Sequence, residues 1–255
     1  TPVCSSAASD VYKRQQETGQ IGLALTSVTM SVGGTSPYYG YGGDIVVVQA
    51  KGNQRSAIAG ARALDAGASL EEAVEAITNA DVDKEQRQIA ILRRDGRMIG
   101  RTGSKNQPWA GEKMGRNCMG FGNVLSGPQV VDAMVDAYEA AEARGEELAS
   151  RLLSALEAGR DAGGQSPAKG RHYSERGAAI KVIGTDAFPE VTAMDLRVDM
   201  EFDAVSALRT MYTRYKPMIA LRALRAATPE KMPVLWEWEA ENMAANPPPA
   251  IFYED

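Results

Sequence analysis

The residues able to do chemistry in this sequence are few, and the shortage narrows the reactions open to it. His172 is the only histidine, and Cys4 and Cys118 are the only cysteines. A zinc-type site draws on several His, Cys or carboxylate ligands at set spacings, and neither residue type supplies them here. A Ser-His-Asp or Cys-His relay would rest wholly on His172, which sits in a polar stretch with no nucleophile elbow beside it. The glycines at Gly33-Gly34 and Gly120-Phe121-Gly122 do not extend to a dinucleotide or Walker fingerprint, so neither metal nor organic cofactor is implied. One reaction class needs no histidine. An N-terminal Thr, Ser or Cys can use its own α-amine, whose ordinary pKa lies near neutrality, as the base. Backbone N–H groups and an Asn amide then serve as donors to an oxyanion.

The elements that would position such a site follow from periodicity. Gln20–Val28 reads as a strand opened by a turn at Glu17-Thr18-Gly19, and Ala8–Lys13 is a weak candidate for its partner. Residues 30–43, rich in Gly, Ser and Tyr, read as a loop in which Tyr38–Tyr41 lines a mouth or forms a plain turn. Asp44–Ala50 is a β-branched strand. Two helices follow. Ile58, Ala61 and Leu64 share a face of the first, and Ser69 with Glu72 caps the second. Asp95-Gly96 joins strands at Gln88–Arg93 and Arg97–Arg101 in a hairpin, and residues 102–117 read as a loop. Met119–Leu125 is a further strand, and Pro128 launches a long helix that Gly145 breaks before a second helix over Glu147–Ala158. Ala178–Ile183 and Ala193–Asp199 alternate as strands, and a helix over Asp203–Tyr215 ends ahead of Pro217.

Several of these segments resemble one family. They are Glu17-Thr18-Gly19-Gln20-Ile21-Gly22, Arg87-Gln88, Thr102-Gly103-Ser104, Trp109-Ala110-Gly111, Gly122–Pro128 and Asp195-Leu196-Arg197. Together they are similar to the domain of unknown function 1028 over roughly residues 16–215, and they are distinctive only in combination. The resemblance implies an N-terminal-nucleophile (Ntn) hydrolase-like fold, an α+β four-layer α/β/β/α sandwich of two antiparallel sheets. It also implies a family start in which a Thr is exposed, and counting back from Glu17 sets that Thr near Ala8, which has neither hydroxyl nor thiol. Residues 1–15 therefore read as a foreign head, with Thr1, Cys4 and Ser5 as remote substitutes. Residues 16–215 form the domain, and 216–255, with Trp236, Trp238 and Pro247-Pro248-Pro249, form an appendage.

On that resemblance Asn123 points its amide at an oxyanion or holds a turn. Arg87 binds a substrate carboxylate or salt-bridges on the sheet. Thr102 and Gly103 floor a pocket or simply leave the hairpin. Trp109 walls the pocket or anchors the core. Asp195 and Arg197, two apart on one strand face, read as an ion pair. The expectation is an amidohydrolase cleaving a C–N bond in a small-molecule substrate, with the alternative of a binding or assembly protein that keeps the fold without the nucleophile. A net charge of −5 over 255 residues gives no attraction to nucleic acid. No apolar run reaches the roughly 20 residues of a membrane helix, so a cytoplasmic location follows by default. Edge strands and helix faces leave room for a homo-oligomer.

Overall fold

In the computed structural model the weakest strand of the sequence lies deep within a sheet. Strand β1 (Ser9–Arg14) pairs antiparallel with β2 (Ile21–Ser27) on one side and β8 (Cys118–Gly122) on the other. Its backbone supplies the ladder, and its neighbours supply most of the apolar character. The residues described are 9–14, 19–107, 109–166, 173–184 and 192–245. Thr1, Cys4, Ser5, Ala8 and His172 lie outside them.

In chain order the helix α1 (Val32–Thr35), the strands β3 (Pro37–Tyr39) and β4 (Ile45–Gln49), and the helices α2 (Gln54–Asp65) and α3 (Leu70–Asn79) follow β2. A 3-10 turn at Lys84–Gln86 leads into β5 (Gln88–Leu92), β6 (Met98–Thr102), β7 (Gly111–Met114) and β8. The chain then forms α4 (Gln129–Ala143), α5 (Leu148–Asp161), β9 (Gly177–Ile183), β10 (Thr192–Asp199), α6 (Ala204–Ala227) and α7 (Leu235–Asn242). The result is a mixed α/β fold with two antiparallel sheets, ordered β10-β9-β2-β1-β8-β7 and β3-β4-β5-β6.

Three separate apolar cores show how the sheets are covered. Ile21, Leu23, Leu25, Met119 and Phe121 of the larger sheet meet Ile45, Val47, Ala90 and Leu92 of the smaller. The alternate residues Val46, Val48, Ile89 and Ile91 face away, onto Ala57, Ala61 and Leu64 of α2 and Leu70, Ala73 and Ile77 of α3. Ala24, Ile180, Val182 and Leu196 pack on residues of α4, α5 and α6. A strand buried on both faces needs apolar side chains at every position, which is why β4 and β5 read as unbroken runs.

Local signals act where they stand. Asn53 caps α2, accepting from the N–H groups of Arg55 and Ser56. Ser69 and Glu72 close a capping box on α3. Gly96 takes φ +91° in the β5–β6 turn. Three expectations need correction. The 30–43 loop contains α1 and β3, because Tyr38 and Tyr39 find ladder partners in β4 and Pro37 is tolerated at the start of an edge strand. The 102–117 loop contains β7, an edge strand on β8. The helix from Asp203 does not stop at Tyr215. It runs through Pro217 to Ala227, so the boundary at 215/216 falls inside one helix. A single proline removes one ladder hydrogen bond, and contacts of Leu221 and Ile219 with the fold hold the helix beyond it.

Candidate functional site

Two neighbouring strands of the smaller sheet each end on a polar residue that an apolar strand should not hold. Gln49 closes β4, Gln88 opens β5, and the two pair in register. Both are fully buried. Gln88 is the hub of the site. Its Nε2 donates to Thr102 Oγ1 at 2.9 Å, to the Gly122 carbonyl at 3.0 Å and to the Gly111 carbonyl at 3.1 Å. Its Oε1 accepts from Gln49 Nε2 at 2.8 Å and from Asn123 Nδ2 at 3.2 Å. One side chain thus ties the smaller sheet to β7 and β8 of the larger and orients the Asn123 amide.

Asn123 follows Gly122 at the end of β8 and is fully buried. It lines a cavity of about 110 Å³ together with Ala50, Lys51, Lys105, Asn106 and Val124. The walls are strained. Among the described residues five non-glycine positions have left-handed φ, and three of them, Ala50 (+59°), Lys51 (+67°) and Val124 (+58°), belong to this cavity. For an L-residue that conformation costs about 1–2 kcal/mol, and a β-branched residue there is a true outlier. Strain of this kind collects at functional sites, where the surroundings over-determine it.

Arg87 holds the strained walls together. Its Nε lies 2.7 Å and its NH2 3.3 Å from the two oxygens of Asp81, and NH1 donates to the Lys51 carbonyl. Its own carbonyl accepts from Gly103 N–H at 2.9 Å and from Asn106 Nδ2 at 2.9 Å. Burial pushes the Asp81 carboxyl upward, but Arg87, Asn53 and the Asp83 N–H outweigh it and leave the pKa below the ordinary value. Glu85 fastens the opposite wall. Hydrogen bonds from Ser104 N–H and Oγ, then Arg101, bring its pKa down to about 2, and its carbonyl receives Lys105 N–H at 2.7 Å.

The residues singled out from the sequence fall into different places. Asn123 lines the cavity. Arg87 stands behind its wall with the guanidinium engaged by Asp81 and Lys51. Thr102 bonds Gln88 and donates to Glu112. Gly103 lies so close to the turn that a Cβ would stand 2.5 Å from the Glu85 carbonyl oxygen and 2.9 Å from that of Arg87. Trp109 packs against the helix-side core and over Gly111, and its backbone bridges to Leu125. Asp195 and Arg197 pair at 3.0 Å, and Lys181 joins them at 3.1 Å. Tyr38, Tyr39 and Tyr41 line a different cavity, of about 350 Å³, at the far ends of the strands, where Lys181 lies 4.2 Å over the Tyr39 ring. The sequence reading missed Gln88 as a hub, and also Lys51, Lys105 and Asn106. For Gln88 a signal existed, a polar end on an apolar run. Asn106 had none, because only tertiary contact brings it to the site.

Among the described residues no group of three or more His, Cys, Asp or Glu is placed to hold a metal ion, and no helix is long and apolar enough to cross a membrane. The sequence matches the family described as "Family of unknown function (DUF1028)" over residues 10–208, which takes in both sheets and every residue of the cavity. The chain belongs to that family. A crystal structure of another DUF1028 protein, from Silicibacter pomeroyi, superposes with a TM-score of 0.72 at 26% identity, covering 83% of this chain and 87% of that one. The Anbu (ancestral beta-subunit) from Yersinia bercovieri aligns over 84% of this chain and 96% of its own at 14% identity and a TM-score of 0.35, and no argument rests on so low a score. Among curated proteins none matches.

Proposed function

We propose that this member of the DUF1028 family binds a small polar molecule in the Asn123 cavity, on a fold of the Ntn-hydrolase-like, four-layer α/β/β/α kind. The three cores, one between the sheets and one under each helical layer, support the architectural part. One observation carries the functional part. The cavity walls are held in left-handed backbone conformations around a buried amide and two lysines, an arrangement that costs stability and is of the kind that collects at functional sites. The lysines bring positive charge, and none of the cavity's lining residues is a carboxylate.

A second reading, an amidohydrolase, is favoured by one contact. Ser9, the first described residue of β1, pairs with Gly122, the residue before Asn123. A nucleophile carried at that end of β1 would therefore enter beside the amide that Gln88 orients. The site would then use Asn123 and neighbouring N–H groups as oxyanion donors.

Thermal-shift and calorimetric titration of the full chain with a panel of small carboxylates, amines, amino acids, amides, polyols and phosphate separates the readings. The amide arm is also assayed for released amine. Binding that Lys105→Ala weakens, without turnover, supports a binding protein. Turnover of any amide that Asn123→Ala abolishes transfers the conclusion to the hydrolase. If nothing in the panel binds, the cavity is not a ligand site.

A further inference from the structure

Away from the Asn123 cavity, the C-terminal helices carry a surface that the rest of the fold leaves open. Residues 10–208 match the family, so α6 beyond Leu208 and all of α7 lie past that match. α7 has 8 residues, none of them buried, and its N-cap Val234 offers it no side-chain hydrogen bond. A helix that short does not hold itself in water and depends on packing. The packing that α6 gives it is incomplete. Met211, Arg214, Tyr215 and Met218, spaced for one face of α6, line an open groove of about 540 Å³ with Glu239 and Met243 of α7 on its other side. At the start of α7, Val234, Leu235 and Trp236 stand consecutively in solvent, with Trp236 72% exposed. Contiguous apolar surface of this kind marks an interaction site.

Charge identifies what covers it. α6 carries five basic residues and no acidic one, and α7 carries three acidic residues and no basic one. Part of the α6 charge is engaged within the chain. Arg209 pairs with Glu157 at 2.8 Å and Lys216 with Glu147 at 2.7 Å, while Arg222 donates to Tyr215 Oη at 2.6 Å. Arg214 and Arg225 are exposed and have no ion pair among the described residues, and the same holds for Glu237 and Glu241 of α7. We infer that the α6–α7 face is the interface of a homodimer. Leu235 and Trp236 of each copy enter the methionine-lined groove of the other, and each acidic α7 lies along the basic α6 of its partner. One chain bears both the groove and the side chains that fill it, so a single two-fold axis makes the contact twice and leaves neither half uncovered. Methionines adapt their shape to what enters, and the facing charges fix orientation more than they add affinity. An apolar segment of a different protein would fill the groove but leave Val234, Leu235 and Trp236 of this chain in water.

The test is sedimentation equilibrium of the full chain from low to high micromolar concentration, where the mass is expected to rise from 27.3 kDa toward twice that value. Trp236→Asp and Met211→Asp each replace an exposed side chain, so both variants should keep the far-UV circular dichroism of the parent. Each should raise the dimer Kd at least about tenfold. Arg214→Glu sets like charge against the partner's α7 and should raise the Kd several-fold. Val82→Asp, at a fully exposed apolar position in the loop after α3, should leave it unchanged. A single-chain mass at every concentration would overturn the homodimer and leave the face to an apolar segment of another protein. A dimer that withstands both aspartate substitutions on the α6–α7 face would overturn it equally, because its interface would lie elsewhere.

Discussion

Gln88 and Asn123 touch one another, yet the structure assigns them opposite sensitivities. Gln88 donates from one nitrogen to the carbonyls of Gly111 and Gly122 and receives two amides on its oxygen. Replacing it with leucine strands several of these groups at once, each worth about 1–3 kcal/mol when buried and unmet. Gln88→Leu is therefore expected to lose at least about 3 kcal/mol of stability, read as a lower urea midpoint. Asn123→Ala should behave differently. Gln88 Oε1 keeps Gln49, and the substitution deletes an oxygen that has no partner, so stability should change by about 1 kcal/mol or less while ligand binding is lost. Equal destabilisation by both variants would show that Asn123 is a structural member of the network. The Gly122-Asn123 context singles out Asn123 in the sequence, as an oxyanion donor or as the holder of a turn. The hub beneath it was not singled out, although a glutamine at the end of an all-apolar strand is itself a signal, because a buried polar side chain must have partners.

At the scale of elements, strain and function are tied together at Lys51, which follows β4 with φ +67°. Lys51→Gly removes a left-handed penalty of about 1–2 kcal/mol and adds unfolded-chain entropy of about 0.4–1 kcal/mol. The net expectation is a gain of about 0.5–1 kcal/mol, because the exposed bond from Lys51 Nζ to Gln86 contributes little. Binding should weaken at least several-fold in the same variant, since the ammonium is gone. A stability loss from Lys51→Gly would mean that the turn is not strained as its φ implies. Most elements could be read because their patterns are local. Unbroken apolar runs mark β4 and β5, alternation marks β9 and β10, Ser69 and Glu72 mark α3, and Asp95-Gly96 marks the hairpin. The strands that are weak or silent in the sequence, β1, β3 and β7, owe their existence to neighbours. β1 is held between β2 and β8 by ladder bonds on both sides, and β7, Gly111-Glu112-Lys113-Met114, has only an edge to pair with. The α6 helix defeats the proline rule because its far half is anchored by Ile219 and Leu221.

For the whole molecule, the charges that hold loops to the sheets set the limits of stability with pH. Asp81, Glu85, Asp95, Glu146, Asp195 and Asp203 all have folded pKa values below their ordinary ones, Glu85 down to about 2. A lowered carboxylate contributes stability that is fully present above its unfolded pKa, near 4, and is lost as pH falls through the folded value. Stability should therefore decline from about pH 5 toward pH 2. At the alkaline end the sign reverses. Burial raises the Tyr138 hydroxyl, and burial with the Glu147 hydrogen bond raises that of Tyr212. Their stabilisation holds below the unfolded tyrosine value of about 10 and fades above it. Lys113, raised by Asp132 and Asp136, fades in the same direction as its charge is lost. Between these limits little titrates, since His172 is the single histidine of the chain. The urea midpoint measured from pH 2 to pH 11 should trace a plateau with two falling shoulders. A slope between about pH 6 and pH 8 would contradict this, because histidine is the side chain whose ordinary pKa lies there and one residue of that type would have to account for all of it.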